Sequence, residues 1–214
     1  MIRLKLREGD YAKIPMRASF TYDLPSEQNS YSTDVVFIDY NVTATKIEEI
    51  KAQNKLVLCY ISVGSAEDYR DDYNEFPSSV LGETLDEWPG ERWLDIRDEK
   101  VFEIMKARIE VAQQHGCQGI DPDNIDGYAN DSGFPLEVGD TMDYLKKIAD
   151  EVHSRGMLIG MKNADGIAEP AKNDNTTDEY QFINEYMDFS VTEECFRYTE
   201  CEKYSIFTDL NKPV

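Results

Sequence analysis

The feature that most constrains this chain is residues 116–128, where a short apolar stretch runs directly into acidic side chains. Gly116 ends a helical pattern, and Asp121, Asp123 and Asp126 follow soon after it. An ionised carboxylate that leaves water without a partner costs several kcal/mol. Three of them at the end of a buried strand therefore predict a functional site.

Strand-like and helix-like segments alternate on both sides of this motif. Helical patterns begin at a Thr45–Glu48 capping box, run from Asp98 to Gly116, and cover residues 137–155. Repeated strand–helix units with nearly continuous apolar strands predict a parallel sheet covered by helices. Apolar and β-branched runs predict the strands themselves at residues 18–24, 35–40, 56–63, 157–161 and 188–191.

Polar residues end several of these strands, at Asp39, Ser62, Asp123, Lys162 and Glu193. In a (β/α)-barrel the strand ends converge on one mouth, where that fold places its chemistry. We therefore predict an α/β protein with a (β/α)8 TIM-type barrel over residues 18–214, after an N-terminal extension of residues 1–17. An open doubly wound sheet is the second choice, and no glycine-rich phosphate loop supports nucleotide binding.

Three regions depart from the strand–helix repeat. Residues 65–95 form a long polar and aromatic excursion without clear regular structure, which in compact domains usually indicates function. Residues 172–178 are a polar stretch rich in Asn, Asp and Thr. Residues 211–214 resemble the beginning of a strand that does not continue.

The charge balance excludes classes of partner. Against 43 acidic residues stand 22 basic ones, a formal net charge of −21. The negative field of the chain repels nucleic acid and anionic membranes and would concentrate a cationic ligand, but a solvating acidic surface is the preferred explanation of the charge. No apolar run approaches the ~20 residues of a membrane span. The first fifteen residues are charged rather than apolar, so we expect a soluble chain without a signal peptide.

The four cysteines fall into two pairs of different character. Cys59 and Cys117 lie inside apolar segments, where we expect free thiols that behave as small hydrophobic side chains. Cys195 and Cys201 flank a short polar stretch. They can close a small loop through a disulfide if the compartment is oxidising.

Five blocks of residues together resemble a known family. They are residues 61–71 (ISVGSAEDYRD), 88–97 (WPGERWLDIR), 119–128 (GIDPDNIDGY), 161–163 (MKN), and 193–195 (EEC) with Cys201. In this order they resemble the signature blocks of the endo-α-1,4-polygalactosaminidase family of glycoside hydrolases, glycoside hydrolase family 114. The resemblance implies a barrel hydrolase that acts outside the cell on α-1,4-linked galactosamine polysaccharide, a cationic substrate, without cofactor or metal. Domains of that family continue past residues 212–214, so the resemblance also implies a barrel that lacks its last strand and helix.

Two carboxyl groups are expected to carry the reaction, as in most glycoside hydrolases. Alternation along a strand puts Asp121 and Asp123 on one face, with Asp121 about 6–7 Å deeper. Asp123, at the mouth, is therefore the predicted nucleophile. Glu193 lies on the same face as Val191, opposite Glu194, and matches the glutamate of the family, so it is the predicted general acid/base. We expect retention, which needs carboxyl groups about 5–5.5 Å apart, rather than inversion at roughly 6.5–9.5 Å.

Several further side chains are predicted to bind the substrate. Asp39 has a structural alternative, an ion pair with Lys162 or Arg92. Asp126 can instead shape a turn, and Trp88 can be a core residue rather than a surface on which a sugar stacks. The predicted substrate-binding residues are Asp39, Tyr60, Ser62, Trp88, Asp121, Asn124, Asp126, Lys162 and Asn163.

Two other functions stay open at this stage. Asp121, Asp123 and Asp126 can ligate a hard cation through their oxygens, as in a metal-dependent hydrolase. The chain can also be a catalytically inactive barrel that binds glycans.

Overall fold

The computed structural model describes residues 12–214. Its elements, in chain order, are β1 (Phe20–Tyr22), β2 (Val35–Asp39), α1 (Ala44–Lys51), β3 (Leu56–Ser62), β4 (Ser65–Glu67), β5 (Leu81–Leu85), β6 (Trp88–Leu94), α2 (Glu99–His115), β7 (Gly119–Asp123), α3 (Val138–Ser154), β8 (Leu158–Lys162), α4 (Asp165–Asn173), α5 (Asp178–Tyr186), β9 (Phe189–Val191), α6 (Cys195–Tyr198) and α7 (Ser205–Asp209).

The strands form two sheets. The main sheet has six parallel strands in the order β1-β2-β3-β7-β8-β9. The second sheet has three antiparallel strands in the order β4-β6-β5 and is inserted after β3. Helices α1 to α5 connect or follow the parallel strands, as a parallel sheet requires.

The main sheet is rolled rather than flat. The rings of Phe37 on β2 and Phe189 on β9 lie 6.4 Å apart, although three strands separate β2 from β9. The hydroxyl of Tyr22 on β1 donates to Asp121 on β7 over 2.7 Å, across two intervening strands. Only a curved sheet brings these side chains together. The predicted α/β barrel class is therefore confirmed, with six parallel strands described where a full barrel has eight.

Apolar side chains fill both sides of this sheet. A large layer lies between the strands and the helices and includes Ile38, Ile61 and Leu145, which are fully buried. A smaller cluster lies on the concave side, formed by Val35, Phe37, Leu58, Leu158 and Phe189. Burial on both faces explains why the strands are nearly continuous apolar runs.

The last residues of the chain lie along the outer edge of β9. The backbone N–H of Ser190 donates to the carbonyl of Pro213 over 2.9 Å. The amine of Lys212 donates to the carbonyls of Ile183 and Asn184 at the end of α5, over 2.6 and 2.8 Å. Residues 211–214 form no strand in the structure, and the strand predicted to begin there amounts to one backbone hydrogen bond with β9.

The predicted helix from Asp98 to Gly116 is confirmed, and that over residues 137–155 is confirmed to within one residue at each end. The capping box at Thr45 is wrong. Thr43 caps α1 instead, with its side chain accepting the N–H of Lys46, so that Thr45 lies inside the first turn. Two threonines compete for this role, and the tight turn after Asp39 lets the helix begin earlier.

Two regions expected to be irregular contain regular structure. Residues 65–95 contain the antiparallel sheet. It was not predicted because its strands are short, its register shifts, and a polar cross-strand pair, Glu67 with Glu91, hides the usual alternation of apolar and polar residues. Residues 172–178 include the end of α4 and the beginning of α5, where Thr177 caps the helix by accepting the N–H of Tyr180.

Both cysteine pairs are disulfides, so the expectation of free thiols at Cys59 and Cys117 is wrong. These two residues lie 58 positions apart in sequence with Cα atoms 5.9 Å apart. The pairing of β3 with β7 brings them together, and local sequence carries no sign of that contact. Cys195 and Cys201 form the small loop that was predicted for an oxidising compartment.

The N-terminal predictions fall mostly outside the described residues. Residues 1–11 lie outside the described part of the chain. They make up most of the charged segment from which we predicted that the chain has no signal peptide. A boundary between an extension and the barrel at residue 17 stays a prediction. Within residues 12–214, no helix has the length and apolar character needed to cross a membrane.

The two disulfides should contribute unequally to stability. Replacing Cys59 and Cys117 together by Ala should lower the free energy of unfolding by about 4 kcal/mol, because the bond closes a long loop. Replacing Cys195 and Cys201, whose separation is 6 residues, should cost about 2 kcal/mol. Urea denaturation of both double variants measures the difference, and an equal or reversed order would contradict the entropic account.

Candidate active site

The carboxyl ends of the parallel strands and one side of the antiparallel sheet surround a cavity of about 700 Å³. Most of the predicted site residues lie along its wall, and two do not: Ser62 and Asp121 are fully buried beneath it. The predicted residues that line the cavity are Asp39, Tyr60, Trp88, Asp123, Asn124, Asp126, Lys162, Asn163 and Glu193.

The ammonium of Lys162, at the end of β8, lies among three carboxylates. Its Nζ atom is 3.3 Å from Asp123 Oδ2, 3.3 Å from Glu193 Oε1 and 4.0 Å from Asp121 Oδ2. The side chain of Lys162 is only 4% exposed. Burial disfavours the charged amine, but the three carboxylates outweigh it and hold the pKa of Lys162 above its usual value.

These contacts limit the separation of Asp123 and Glu193. Since both carboxylates touch the same nitrogen at 3.3 Å, their nearest oxygens are no further apart than twice that distance. Retaining glycosidases hold their carboxyl groups about 5–5.5 Å apart, whereas inverting enzymes need roughly 6.5–9.5 Å. This upper limit includes the separation of a retaining pair and just reaches the lower end of the inverting range.

Asn163 fixes the position of Glu193. Its Nδ2 donates to Glu193 Oε2 over 2.7 Å, and its Oδ1 accepts the backbone N–H of Glu193 over 2.8 Å. Asn163 has a φ of +50°, a left-handed conformation that asparagine adopts more readily than most residues. Glu193 consequently faces the cavity, while Glu194 lines a different, apolar pocket.

Asp121 is buried below Lys162 and does not line the cavity. Tyr22, which sequence reasoning missed, donates its hydroxyl to Asp121 Oδ2 over 2.7 Å. The other oxygen, Oδ1, has no hydrogen-bond partner among the described residues. Burial raises the pKa of Asp121 to about 6. This placement supports a role in holding Lys162 rather than the predicted contact with a sugar.

Ser62 is also enclosed. Its hydroxyl accepts a hydrogen bond from the side-chain amide of Asn124 over 2.9 Å and neighbours the hydroxyl of Ser65. Asn124 has a φ of +57° and reaches the cavity wall itself. Ser62 therefore lies behind Asn124, and the predicted contact between Ser62 and substrate has no support from this placement.

Asp39 pairs with Arg70, so the predicted partners Lys162 and Arg92 are wrong. Arg70 donates to both oxygens of Asp39 over 2.8 and 2.6 Å. Arg92 instead donates to backbone carbonyls of the antiparallel sheet. Arg70 lies on the inserted segment whose structure was not predicted, and for that reason the pair was missed.

The pair of Asp39 and Arg70 belongs to a buried ionic network. Glu67, 1% exposed, accepts from Arg70 over 2.8 and 2.9 Å and from Arg108 over 3.2 Å. Arg108 also donates to both oxygens of Asp72. The sequence does contain a sign that Arg108 forms a buried ion pair. Arg108 falls on the apolar stripe of α2, where an arginine without an acidic partner would be costly.

Asp126 both closes a turn and lines the cavity. Its backbone carbonyl accepts the N–H of Ala129 over 2.8 Å and closes a turn. Its carboxyl group lines the cavity, and burial raises its pKa. The turn and a contact with ligand are therefore compatible.

Two aromatic side chains predicted for the site occupy different environments. Trp88 is 62% exposed on the cavity wall, so it is not a core residue. Tyr60 is half-buried, and the Lys162 ammonium lies 5.3 Å from the centre of its ring. Burial, with the charge of Asp123 nearby, raises the pKa of Tyr60. Tyr60 supports the ion cluster, whereas Trp88 offers an open apolar face.

The metal-site alternative does not fit these residues. Within residues 12–214, no three His, Cys, Asp or Glu side chains are grouped as a cation would need. The ammonium of Lys162 lies where a cation shared by Asp121 and Asp123 would have to bind. Asp126 lines the same cavity, and its backbone carbonyl closes a turn with Ala129.

Solved structures with the same fold include several carbohydrate-active proteins. The crystal structure of Ega3 from Aspergillus fumigatus in complex with galactosamine matches with 34% sequence identity, a TM-score of 0.86, and coverage of 96% of this chain and 80% of that one. A comparison with curated protein sequences finds no match.

Two more distant structures show the fold alone. The glycoside hydrolase domain of PelA from Pseudomonas aeruginosa matches with 10% identity and a TM-score of 0.62, over 91% of this chain and 80% of that one. Amy13B from Eubacterium rectale matches with 11% identity and a TM-score of 0.54, over 77% of this chain and 41% of that one.

The family comparison covers nearly the whole sequence. The model of glycoside-hydrolase family GH114 matches residues 4–214. Together with the similarity to Ega3, this match confirms the predicted resemblance. The chain belongs to glycoside-hydrolase family GH114 and is a glycosidase.

Proposed function

We propose that this glycosidase cleaves α-1,4-linked, galactosamine-containing polysaccharide with Asp123 and Glu193 as its carboxyl pair, and that it retains the anomeric configuration. The observation that carries the proposal is the shared contact of both carboxylates with the ammonium of Lys162. No other two carboxyl groups described on the cavity wall share one cation in this way.

The reaction follows from this geometry in two steps. First, a carboxylate oxygen of Asp123 attacks the anomeric carbon, while Glu193 gives its proton to the leaving glycosidic oxygen. A covalent glycosyl–enzyme ester results. Then Glu193 takes a proton from a water molecule that attacks the same carbon, and the ester bond to Asp123 breaks.

Lys162 serves both steps as an electrostatic partner. Asp123 loses its negative charge when the ester forms, and Glu193 gains one when it gives up its proton. Because the ammonium touches both groups at 3.3 Å, it remains next to a negative charge throughout the cycle. Lys162 is 4% exposed and Asp123 is 21% exposed, so solvent screens their interaction weakly, whereas the contact with Glu193, 55% exposed, is more open to solvent.

The nature of the substrate is proposed from the relative and from the charge of the chain. Ega3, 34% identical, was solved in complex with galactosamine. A net charge of −21 attracts a polymer of protonated amino sugars. Trp88, exposed on the cavity wall, supplies an apolar face on which a sugar ring can stack. The side chain of Glu193 is 55% exposed, so the bound polymer itself would exclude water from it.

We also propose that the protein works outside the cell. Two disulfides, Cys59 with Cys117 and Cys195 with Cys201, are typical of an oxidising compartment. A polysaccharide substrate would also be encountered outside the cell. No cofactor is needed for the two steps, since both proton transfers use Glu193.

Replacing either carboxyl group should abolish most turnover. Asp123→Asn and Glu193→Gln should each lower kcat on galactosamine oligomers by about 10²–10⁴-fold. Glu194→Gln is the matched control, because it removes a neighbouring charge that faces the other pocket, and it should change kcat less than about twofold. Reducing-end assays measure the rates. Wild-type activity in Glu193→Gln would contradict the assignment, and binding without turnover by the wild type would favour an inactive glycan-binding barrel.

The stereochemical outcome tests the spacing of the pair. Cleavage of an α-linkage with retention should release the α-anomer first, since two displacements at one carbon restore its configuration. Proton NMR of the earliest products, before mutarotation, distinguishes the anomers. Initial β-anomer would show inversion and would require Asp123 and Glu193 to act through an intervening water.

The buried carboxyl group of Asp121 should give stability a pH dependence. Its pKa is about 6 in the folded protein against 3.8 without burial, so the folded state binds the extra proton between these values. Stability from this group is therefore present at low pH and is lost as pH rises through about 6. Relative to Asp121→Asn, the wild type should lose on the order of 1–3 kcal/mol between pH 4 and pH 7. Urea denaturation at several pH values measures this difference, and a constant difference would refute it.

A further inference from the structure

Glu193, the proposed acid/base, lies outside regular structure. Strand β9 ends at Val191 and helix α6 begins at Cys195, so Glu193 is carried by the short loop between them. Asn163 holds its backbone N–H and its side chain, and Lys162 contacts its carboxylate. All of these contacts come from the end of β8. The position of Glu193 therefore depends also on what holds the chain that follows it.

The chain after Glu193 has little packing of its own. Helix α6 has four residues, none of them buried, and Phe196 within it is 92% exposed. The residues that flank the helix, Glu194 and Thr199, have left-handed backbone conformations, with φ of +53° and +61°. Such a conformation is costly for residues other than glycine, above all for a β-branched one. Neither apolar burial nor backbone preference keeps this segment in place.

The disulfide between Cys195 and Cys201 joins this segment to a packed part of the protein. Cys201 begins a short 3-10 helix in which Tyr204 is 4% exposed and belongs to the main core. In the same helix, the ammonium of Lys203 donates to Asp165 of α4 over 2.7 Å. The bond thus connects the exposed helix α6 to residues that the core and α4 hold.

We propose that Cys195 and Cys201 are positioning residues, whose disulfide holds the loop that presents Glu193 to the glycosidic oxygen. This inference rests on the proposed function, because it takes Glu193 as the group that gives its proton to that oxygen. Both cysteines line the apolar pocket that Glu194 also lines, so the disulfide acts on Glu193 through the backbone. A displacement of about 1 Å at a reacting group lowers a rate by as much as about 10²-fold. Opening the bond should therefore slow proton donation.

Replacing Cys195 and Cys201 together by Ala tests this role. On galactosamine oligomers, kcat/KM should fall by about 10–100-fold. On an oligomer whose leaving group is dinitrophenolate, kcat/KM should change less than about threefold, because that group leaves without a proton. Replacing Cys59 and Cys117 together by Ala is the matched control, because that disulfide lies at the paired strands β3 and β7. It should change kcat/KM on either substrate by less than about twofold.

The two substrates and a third measurement separate the inference from the proposed function. Equal losses on both substrates, or wild-type rates on the oligomer, would overturn the positioning role. Hydrogen–deuterium exchange does not depend on activity. The backbone N–H of Glu193, which donates to Asn163, should exchange about tenfold faster without the disulfide. If the wild type hydrolyses no galactosamine oligomer, the proposed function fails, and unchanged exchange at Glu193 would still overturn the inference.

If the double variant does not fold, reduction of the folded wild type replaces it. A dithiol gives two electrons and two protons to the Cys195–Cys201 bond, which breaks into two thiols, while the dithiol closes into its own disulfide. Cys59 is fully buried and Cys117 is 6% exposed, so the more accessible bond should open first. Alkylation followed by mass spectrometry identifies it. Oligomer hydrolysis should fall by about tenfold or more and return on reoxidation, and a constant rate would contradict the proposal.

Discussion

The site depends on one buried ammonium. Lys162 on β8 contacts Asp123 on β7 and Glu193 beyond β9, with Asp121 beneath it. Without Lys162, this floor would hold several carboxylates and no cation, an arrangement whose cost far exceeds a typical single interaction. These contacts of Lys162 require that neighbouring strands end at the same height on the concave side of the sheet. Fold and chemistry are therefore coupled, because the rolled sheet brings the charges together and the ammonium makes their proximity tolerable.

A second ionic network connects the inserted antiparallel sheet to the barrel. Arg70 joins Asp39 at the end of β2 to Glu67 on β4, and Arg108 joins Glu67 to helix α2. This network fixes the wall that bears Trp88 and Glu91 relative to the floor that bears Lys162. The same insertion thus supplies binding surface, while the parallel strands supply the reacting groups. Such a division lets one barrel keep its chemistry when the wall changes.

Much of the fold could be predicted from local pattern. Helix α2 begins at Asp98 and ends at Gly116 as expected, because capping residues and the apolar stripe act within a few positions. The placement of Asp123 on the cavity wall follows from the two-residue period of β7, whereas Glu193 lies beyond β9 and is held toward the cavity by Asn163. The antiparallel sheet was not predicted, because its strands are short and shifted in register. Cys59 with Cys117, Tyr22 with Asp121, and Arg70 with Asp39 were missed since each joins distant parts of the chain.

The sequence by itself determined the alternation of strands and helices, the acidic character and the polar ends of the strands. These are properties of short windows, in which periodicity and charge are visible directly. Only the tertiary structure decided which acid meets which cation: Asp39 is held by Arg70, and Asp123 and Glu193 share Lys162. Partner choice depends on the curvature of the sheet and on the packing of an insertion, and both arise from contacts between residues far apart in the chain.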